Sequence, residues 1–303
     1  MTHSTTITNS VSSADFRTHQ PLLALTGIFL IMLSSVTLLA GCGGPKKGGE
    51  GNYKSCVPSN LQYLPRDNGV FLQWRPNCGS SGSQRGYNFY IVADSELTRD
   101  FPKKFSKANG FRSHTGAAYP GDTNPDNTLE TADLHSLLNG VPYSAIVRNV
   151  LSDGSESKPS NVIHFTPMPG GEFALHVRYS GEEDGFDFAT GQPERADNAR
   201  NDLYLANSPK GAIIASPSQL SFGLKSTRFQ KVGNFKSLLD AAGAKSAGAK
   251  TDEVKVKVGD VFDALTENNH YVRFRVNTLT GSGKERVATI EYLYQTQPQV
   301  VIF

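Results

Sequence analysis

The sequence predicts a mainly β protein: an N-terminal antiparallel sandwich, then a second β-rich domain carrying one short helix. Three observations predict it. Apolar residues alternate over short runs, as in Val70-Phe71-Leu72-Gln73-Trp74, which puts Val70, Leu72 and Trp74 on one face. Turn residues separate those runs, as in Asp67-Asn68-Gly69 and Ser152-Asp153-Gly154. The 303-residue chain has 29 glycines and 11 tyrosines but one tryptophan and three methionines, a composition suited to β-structure with many turns. A net charge of +2, with no basic stripe interleaved with aromatics, gives no footprint for nucleic acid.

At the N-terminus, Pro21 to Ala40 is an uncharged apolar run behind a polar leader whose strong base is Arg17. A basic lead, an apolar centre and a small-residue end make a secretory signal. Its end, Leu39-Ala40-Gly41-Cys42, resembles the bacterial lipobox. That resemblance implies cleavage before Cys42, acylation of its thiol, and a lipid bilayer as partner through that residue. Residues 1–41 are then signal peptide. Gly43 after the cysteine resembles the signal for outer-membrane sorting, so the expected location is the bacterial cell envelope, lipid-anchored at the outer membrane. Residues 42–52 hold no apolar residue after the cysteine and read as a flexible Gly/Lys tether. About 260 residues follow the signal, enough for two domains of ordinary size.

The first domain is expected over 53–167. Its strands are Leu61–Leu64, Val70–Trp74, Tyr87–Val92, Ser144–Val150 and Asn161–Phe165, each bounded by turn residues. Trp74, Gly86-Tyr87 and the frame Leu137-x-x-Gly140-x-x-Tyr143 resemble the fibronectin type III module. The resemblance implies a structural role for Trp74, Leu137, Gly140 and Tyr143. The last three would form a tyrosine corner, with the Tyr143 phenol bonded to backbone upstream. Residues 94–128 are longer and more polar than the usual middle strands and read as an enlarged loop or extra edge hairpin, a candidate binding loop on a rigid scaffold. Within this module Cys56 precedes the first strand and Cys78 follows the second. A hairpin would bring them together at its open end, and an oxidising compartment would permit a disulfide. A metal pair or reactive thiol has no supporting Cys-x-x-Cys or further cysteine.

Pro169 and the glycines of 168–171 read as a linker. The second domain, 172–303, offers strands at Glu172–Tyr179, Gly185–Gly191, Asn201–Leu205 and Gly211–Ala215. A helix is predicted over Asn234–Ala242, with Asn234 as N-cap and Phe235, Leu238 and Leu239 on one face. Strands return at Val254–Val258, where Val and Lys alternate, and at Tyr271–Val276, and Val287–Phe303 reads as two strands broken at Gln295–Pro298. Phe186–Gly191 with Asn201–Leu205, Val258–Phe262, His270–Val276 and Ile290–Gln295 together resemble haem-binding haemophore-type lipoproteins of the HmuY-like β-fold. The resemblance implies haem held by paired histidines, for which this domain has His176 and His270.

No catalytic constellation emerges. There is no Gly-x-Ser-x-Gly, and the seven histidines include no His-x-x-x-His, so neither a nucleophile elbow nor a zinc site is expected. Glu182-Glu183-Asp184, Asp187, Asp197 and Asp202 form the densest acidic stretch, read as a solvated loop because the spacing of a calcium loop is missing. Gly281-Ser282-Gly283-Lys284 lies between strands and reads as a hairpin turn rather than a phosphate loop. The chain is therefore expected to be no enzyme but a non-catalytic binding or interaction module with a protein or glycan ligand and no catalytic cofactor. Haem or other small-ligand capture by the second domain is the alternative, and a carbohydrate-active role the third.

Overall fold

The computed structural model describes residues 56–78, 84–122, 128–209, 211–245 and 248–301. Cys42, the signal segment and the 42–52 tether lie outside the described residues.

Among the described residues, six strands build the first sandwich: β1 (Ser59–Arg66), β2 (Gly69–Arg75), β3 (Gln84–Ala93), β4 (Glu130–Leu134), β5 (Tyr143–Leu151) and β6 (Ile163–Phe165). They form two three-stranded antiparallel sheets, in the orders β1-β2-β4 and β3-β5-β6. The β1–β2 turn needs a positive φ, and Asn68 supplies it at +51°. Val70, Leu72 and Trp74 are all fully buried between the sheets, as their alternation requires. Trp74 meets Tyr87 and Phe89 edge-on, at 4.8 and 5.4 Å between ring centroids.

The tyrosine corner forms. Leu137 is buried and its N–H donates to Asn68 O, while Gly140 takes φ +79°, a conformation glycine adopts without strain. The Leu138 N–H donates to the Tyr143 phenol oxygen at 3.3 Å. Cys56 and Cys78 form the expected disulfide at the open end of the β1–β2 hairpin, with Cα atoms 4.7 Å apart. The fully buried Asn149 amide on β5 reaches both sulfurs and the carbonyls of Cys56 and Pro76. Replacing both cysteines by alanine removes a 22-residue loop closure and is expected to destabilise the chain by about 3 kcal/mol in urea unfolding. An unchanged midpoint would show that Asn149 and the hairpin ladder hold this end unaided.

Ten strands build the second sandwich: β7 (Gly170–His176), β8 (Gly185–Asp187), β9 (Gln192–Glu194), β10 (Leu203–Ser208), β11 (Gly211–Ala215), β12 (Arg228–Asn234), β13 (Glu253–Lys255), β14 (Asp260–Leu265), β15 (Tyr271–Thr280) and β16 (Val287–Tyr294). Two five-stranded antiparallel sheets, β13-β11-β10-β8-β9 and β12-β14-β15-β16-β7, enclose a core rich in stacked rings. Phe173 lies parallel to Phe186 at 3.5 Å, with Tyr292 edge-on to both. The Gly281–Lys284 segment is the expected turn between β15 and β16.

The structure corrects several expectations about the elements. The segment predicted as a helix over Asn234–Ala242 is not one. Strand β12 runs through Asn234, whose side chain bonds Val258 O and Asp260 instead of capping a turn. The chain beyond makes i→i+3 bonds, Ala241 to Leu238 and Ala244 to Ala241, and Arg273 takes the carbonyls of Ala241 and Ala244. A single short helix depends on its tertiary surroundings, and here a guanidinium claims its backbone. Phe235, Leu238 and Leu239 still pack into one cluster, so the apolar face was legible although the backbone was not.

The 168–171 segment is no free linker. Met168 is 1% exposed in a cluster that joins Leu64 of β1 to Leu238, Val261 and Leu293 of the second sandwich, and Gly170 opens β7. An Arg66–Glu291 ion pair at 2.8 Å crosses the same junction. The Val254–Val258 strand ends at Lys255, although Val256 is still buried in the core; Lys257 and Gly259 turn the chain, leaving Val258 exposed. Finally, β16 ends at Tyr294, and 295–301 forms turns in place of a second strand.

Candidate functional site

The connection between β3 and β4 shapes one face of the first sandwich. It lays 113–119 along the edge of β3. Tyr87 and Tyr119 exchange N–H···O bonds at 2.8 Å, and the His114 N–H donates to Phe89 O. This covers the edge over Tyr87 and Phe89 but not Ile91. By the alternation of an antiparallel ladder, Ile91 also turns its N–H and C=O outward, and no partner meets them among the described residues.

Residues 94–112 are gathered by ring contacts and by one arginine. Phe105 packs edge-on to Phe101 at 4.9 Å and stacks on Phe111 at 4.3 Å. Arg148, 6% exposed on β5, donates from Nε to Phe105 O and from Nη2 to Pro102 O and Lys103 O. Its Nη1 donates to Ser157 O. Glu156 completes the tie by accepting from the Lys107 N–H, Asn88 and the Tyr90 hydroxyl. Burial, and then Glu156, push the Tyr90 phenol well above its ordinary pKa, so it remains a donor.

Between this loop, Ile91 and the tyrosine corner lies a groove of about 820 Å³. Phe105, Phe111, Leu137, Leu138, Val141 and Tyr143 make its walls mainly apolar, with Glu96, Lys104 and His114 also lining it. Phe111 and Leu138 are 39% and 66% exposed, and Leu97, between two lining residues, is 39% exposed. Three large apolar side chains thus stay in water around one concavity, which suits an apolar ligand. Residues between 96 and 114 of the expected binding loop supply one wall, and Leu137 and Tyr143 of the corner supply the other. Sequence reasoning missed Arg148 and Leu138. A base directly after the apolar Ala145-Ile146-Val147 run was the available signal for the first.

The other candidate residues do not converge. His176 pairs with Val287 at one end of β16, whereas His270 bonds Gln295 O beyond the other end. At about 3.3 Å per residue the two lie about 25 Å apart, so they do not form a paired-histidine haem site within one chain. One serine, histidine and aspartate do meet: Ser144 Oγ lies 2.8 Å from His164 Nδ1 and donates to Asp94 at 2.6 Å. The serine is fully buried and bridges the other two, so its hydroxyl proton goes to the acid rather than to a base. It acts as a tie between β3's end and β6.

The acidic stretch is only partly the solvated loop expected: Glu182, Glu183 and Asp197 are exposed, and the rest is not. Asp184, Asp187, Glu194 and Asp202 are buried and hold the turns: Asp184 accepts from the Ala196 N–H, Asp187 from Ala189 and Asp202 from Phe188. No metal-holding group of three or more His, Cys, Asp or Glu occurs among the described residues. Burial raises the Asp202 carboxyl to about 6, against the opposing pull of Lys225 at 3.1 Å. The unfolded carboxyl releases its proton near 3.9, so the native state binds more protons between about pH 4 and 6. Stability relative to Asp202→Asn is therefore expected to be greatest below pH 4 and to fall by up to about 3 kcal/mol by pH 6, then stay level. Urea unfolding of both chains at several pH values checks this; a constant difference would contradict it.

No family model matches the chain, and no curated protein matches it. Among the solved structures that show a likeness are the following three. A family 28 exopolygalacturonase from Yersinia enterocolitica is 19% identical, over 43% of this chain and 23% of its own, with TM-score 0.22. The purple acid phosphatase PPD1 from yellow lupin seeds is 13% identical, over 46% of this chain and 24% of its own, with TM-score 0.22. This chain thus spans about a quarter of the length of either enzyme. The FN1–FN3 domains of chicken CNTN1 are 11% identical, over 80% of this chain and 89% of theirs, with TM-score 0.23.

Proposed function

We propose that this protein is a non-catalytic binding module of the bacterial cell envelope, anchored to the outer membrane by acylated Cys42, with the groove beside the 94–122 loop as its ligand surface. The observation that carries the reading is the apolar groove itself, built by an inserted loop that Arg148 and Glu156 fasten to a rigid sandwich. Loops fixed on a stable scaffold are where binding surfaces are usually placed. The groove's apolar walls and the outward backbone of Ile91 suit an apolar extended segment of a protein partner better than a sugar, which needs more polar partners. The anchor rests on the lipobox resemblance of Leu39-Ala40-Gly41-Cys42.

Two variants separate the parts of the reading. Cys42→Ser is expected to move the chain from the membrane to the soluble fraction. Leu138→Asp is expected to leave folding and fractionation unchanged and to abolish co-purification of an envelope partner. A Leu138→Asp chain that retains the same partner would refute the groove assignment.

A further inference from the structure

The second sandwich has an open strand edge. β7 pairs with β16 on one side, and among the described residues no strand pairs with its other side. The register tells which backbone groups are free. Tyr294 N donates to Pro169 O and Val177 N donates to Arg286 O, so the odd-numbered residues 169–177 spend their groups on β16. Gly170, Glu172, Ala174 and His176 therefore turn N–H and C=O outward, and no backbone partner meets them among the described residues. All four line a cleft of about 490 Å³ between β7 and the β8–β9 edge of the facing sheet. Natural edges are usually short, bulged or covered. This one is seven residues long and lies over a floor that includes Phe173, Phe186 and Tyr292.

The cleft is also charged with one sign. Glu172, Glu182 and Glu183 line it and no lysine or arginine does, on a chain whose formal net charge is +2. A second copy of this chain pairing edge to edge would bring the two sets of glutamates together, and like charges across such a pair are destabilising. An incoming strand with basic side chains meets both features at once.

We propose that β7 is a strand-addition site for an extended basic segment of a partner protein. The segment pairs its backbone with Gly170, Glu172, Ala174 and His176 and sets lysine or arginine side chains against Glu172, Glu182 and Glu183. Main-chain bonds supply affinity and the acidic lining supplies selectivity. This site is separate from the groove on the first sandwich and does not depend on it.

The probe is a fluorescein-labelled heptapeptide alternating lysine and valine, titrated by anisotropy into the full chain in detergent. Ala174→Pro removes an outward N–H and spares the β16 ladder, a position where an edge strand tolerates proline. It is expected to weaken binding about tenfold or more with an unchanged thermal midpoint. Glutamate in place of lysine in the peptide, or Glu172→Lys with Glu182→Lys and Glu183→Lys in the protein, is expected to abolish binding; the triple variant keeps the test valid should Ala174→Pro misfold. Bound peptide is expected to slow amide exchange at 170, 172, 174 and 176. Absence of binding, equal affinity of the lysine and glutamate peptides, or no protection at those four amides overturns the proposal. A dimer that forms without peptide and is lost in Ala174→Pro would assign the edge to a second copy and likewise overturn it.

Discussion

Replacing Arg148 with methionine is expected to free the 101–107 segment from the first sandwich and to destabilise the chain by about 3–5 kcal/mol. The guanidinium lies almost wholly buried and serves carbonyls on two sides: Pro102, Lys103 and Phe105 in the loop, and Ser157 beside β5. Hydrogen bonds from a charged donor are individually stronger than neutral ones, and the Ser157 carbonyl would lose its partner in a dry site. Methionine fills much of the volume but donates nothing. Lysine restores the charge as a single point and cannot span the same fork of acceptors, so Arg148→Lys should recover only part of the loss. Hydrogen exchange should rise at the amides of 104–111, whose bonds include Lys104 N to Asp100 O and Phe111 N to Ser106 O. Unchanged exchange there would mean that the Phe101–Phe105–Phe111 stack and Glu156 hold the loop without the arginine.

A loss of similar size is expected for Asp263→Ala. Arg273 makes a two-pronged bond to Asp263 at 2.8 and 3.1 Å, with the residues 3% and 0% exposed. Removing the acid strands a buried cation, which typically costs about 3–5 kcal/mol. It also loosens the arginine that holds the carbonyls of Ala241 and Ala244, and with them Leu238 and Ala241 at the junction between the sandwiches. The informative control is the paired swap, Arg273→Met with Asp263→Leu. Apolar residues of similar size often replace a buried ion pair at little cost, so the double variant should be clearly more stable than the single one in urea unfolding. A double variant as unstable as Asp263→Ala would show that the carbonyl bonds of Arg273, not the stranded charge, dominate.

These two arginines also mark where sequence reading succeeded and stopped. The strands were legible because one buried face imposes a period of two: Val70, Leu72 and Trp74 point inward together. The first hairpin was legible through Asn68, and the disulfide through the position of Cys56 and Cys78 at its open end. The helix over 234–242 was misread because its apolar pattern is real while its backbone is claimed by Arg273, on a strand some thirty residues away in sequence. The acids at 184–202 read as solvated because nothing in their spacing reveals that Asp187 and Asp202 are buried against turn N–H groups. The 94–128 loop was visible as an insertion by its length and polarity. Its groove was not, since Leu138 comes from the tyrosine corner and lines the same groove as Phe111 only through the fold.

The claim that the groove is the ligand surface is tested most directly by photo-crosslinking in the native envelope. A photoreactive side chain is placed at Leu138, in the groove, and separately at Val258, exposed on the second sandwich. The account predicts one discrete cross-linked species from position 138, none of the same mass from 258, and its loss when Phe111→Asp is added. The same species from both positions, or one from 138 that survives Phe111→Asp, would contradict it.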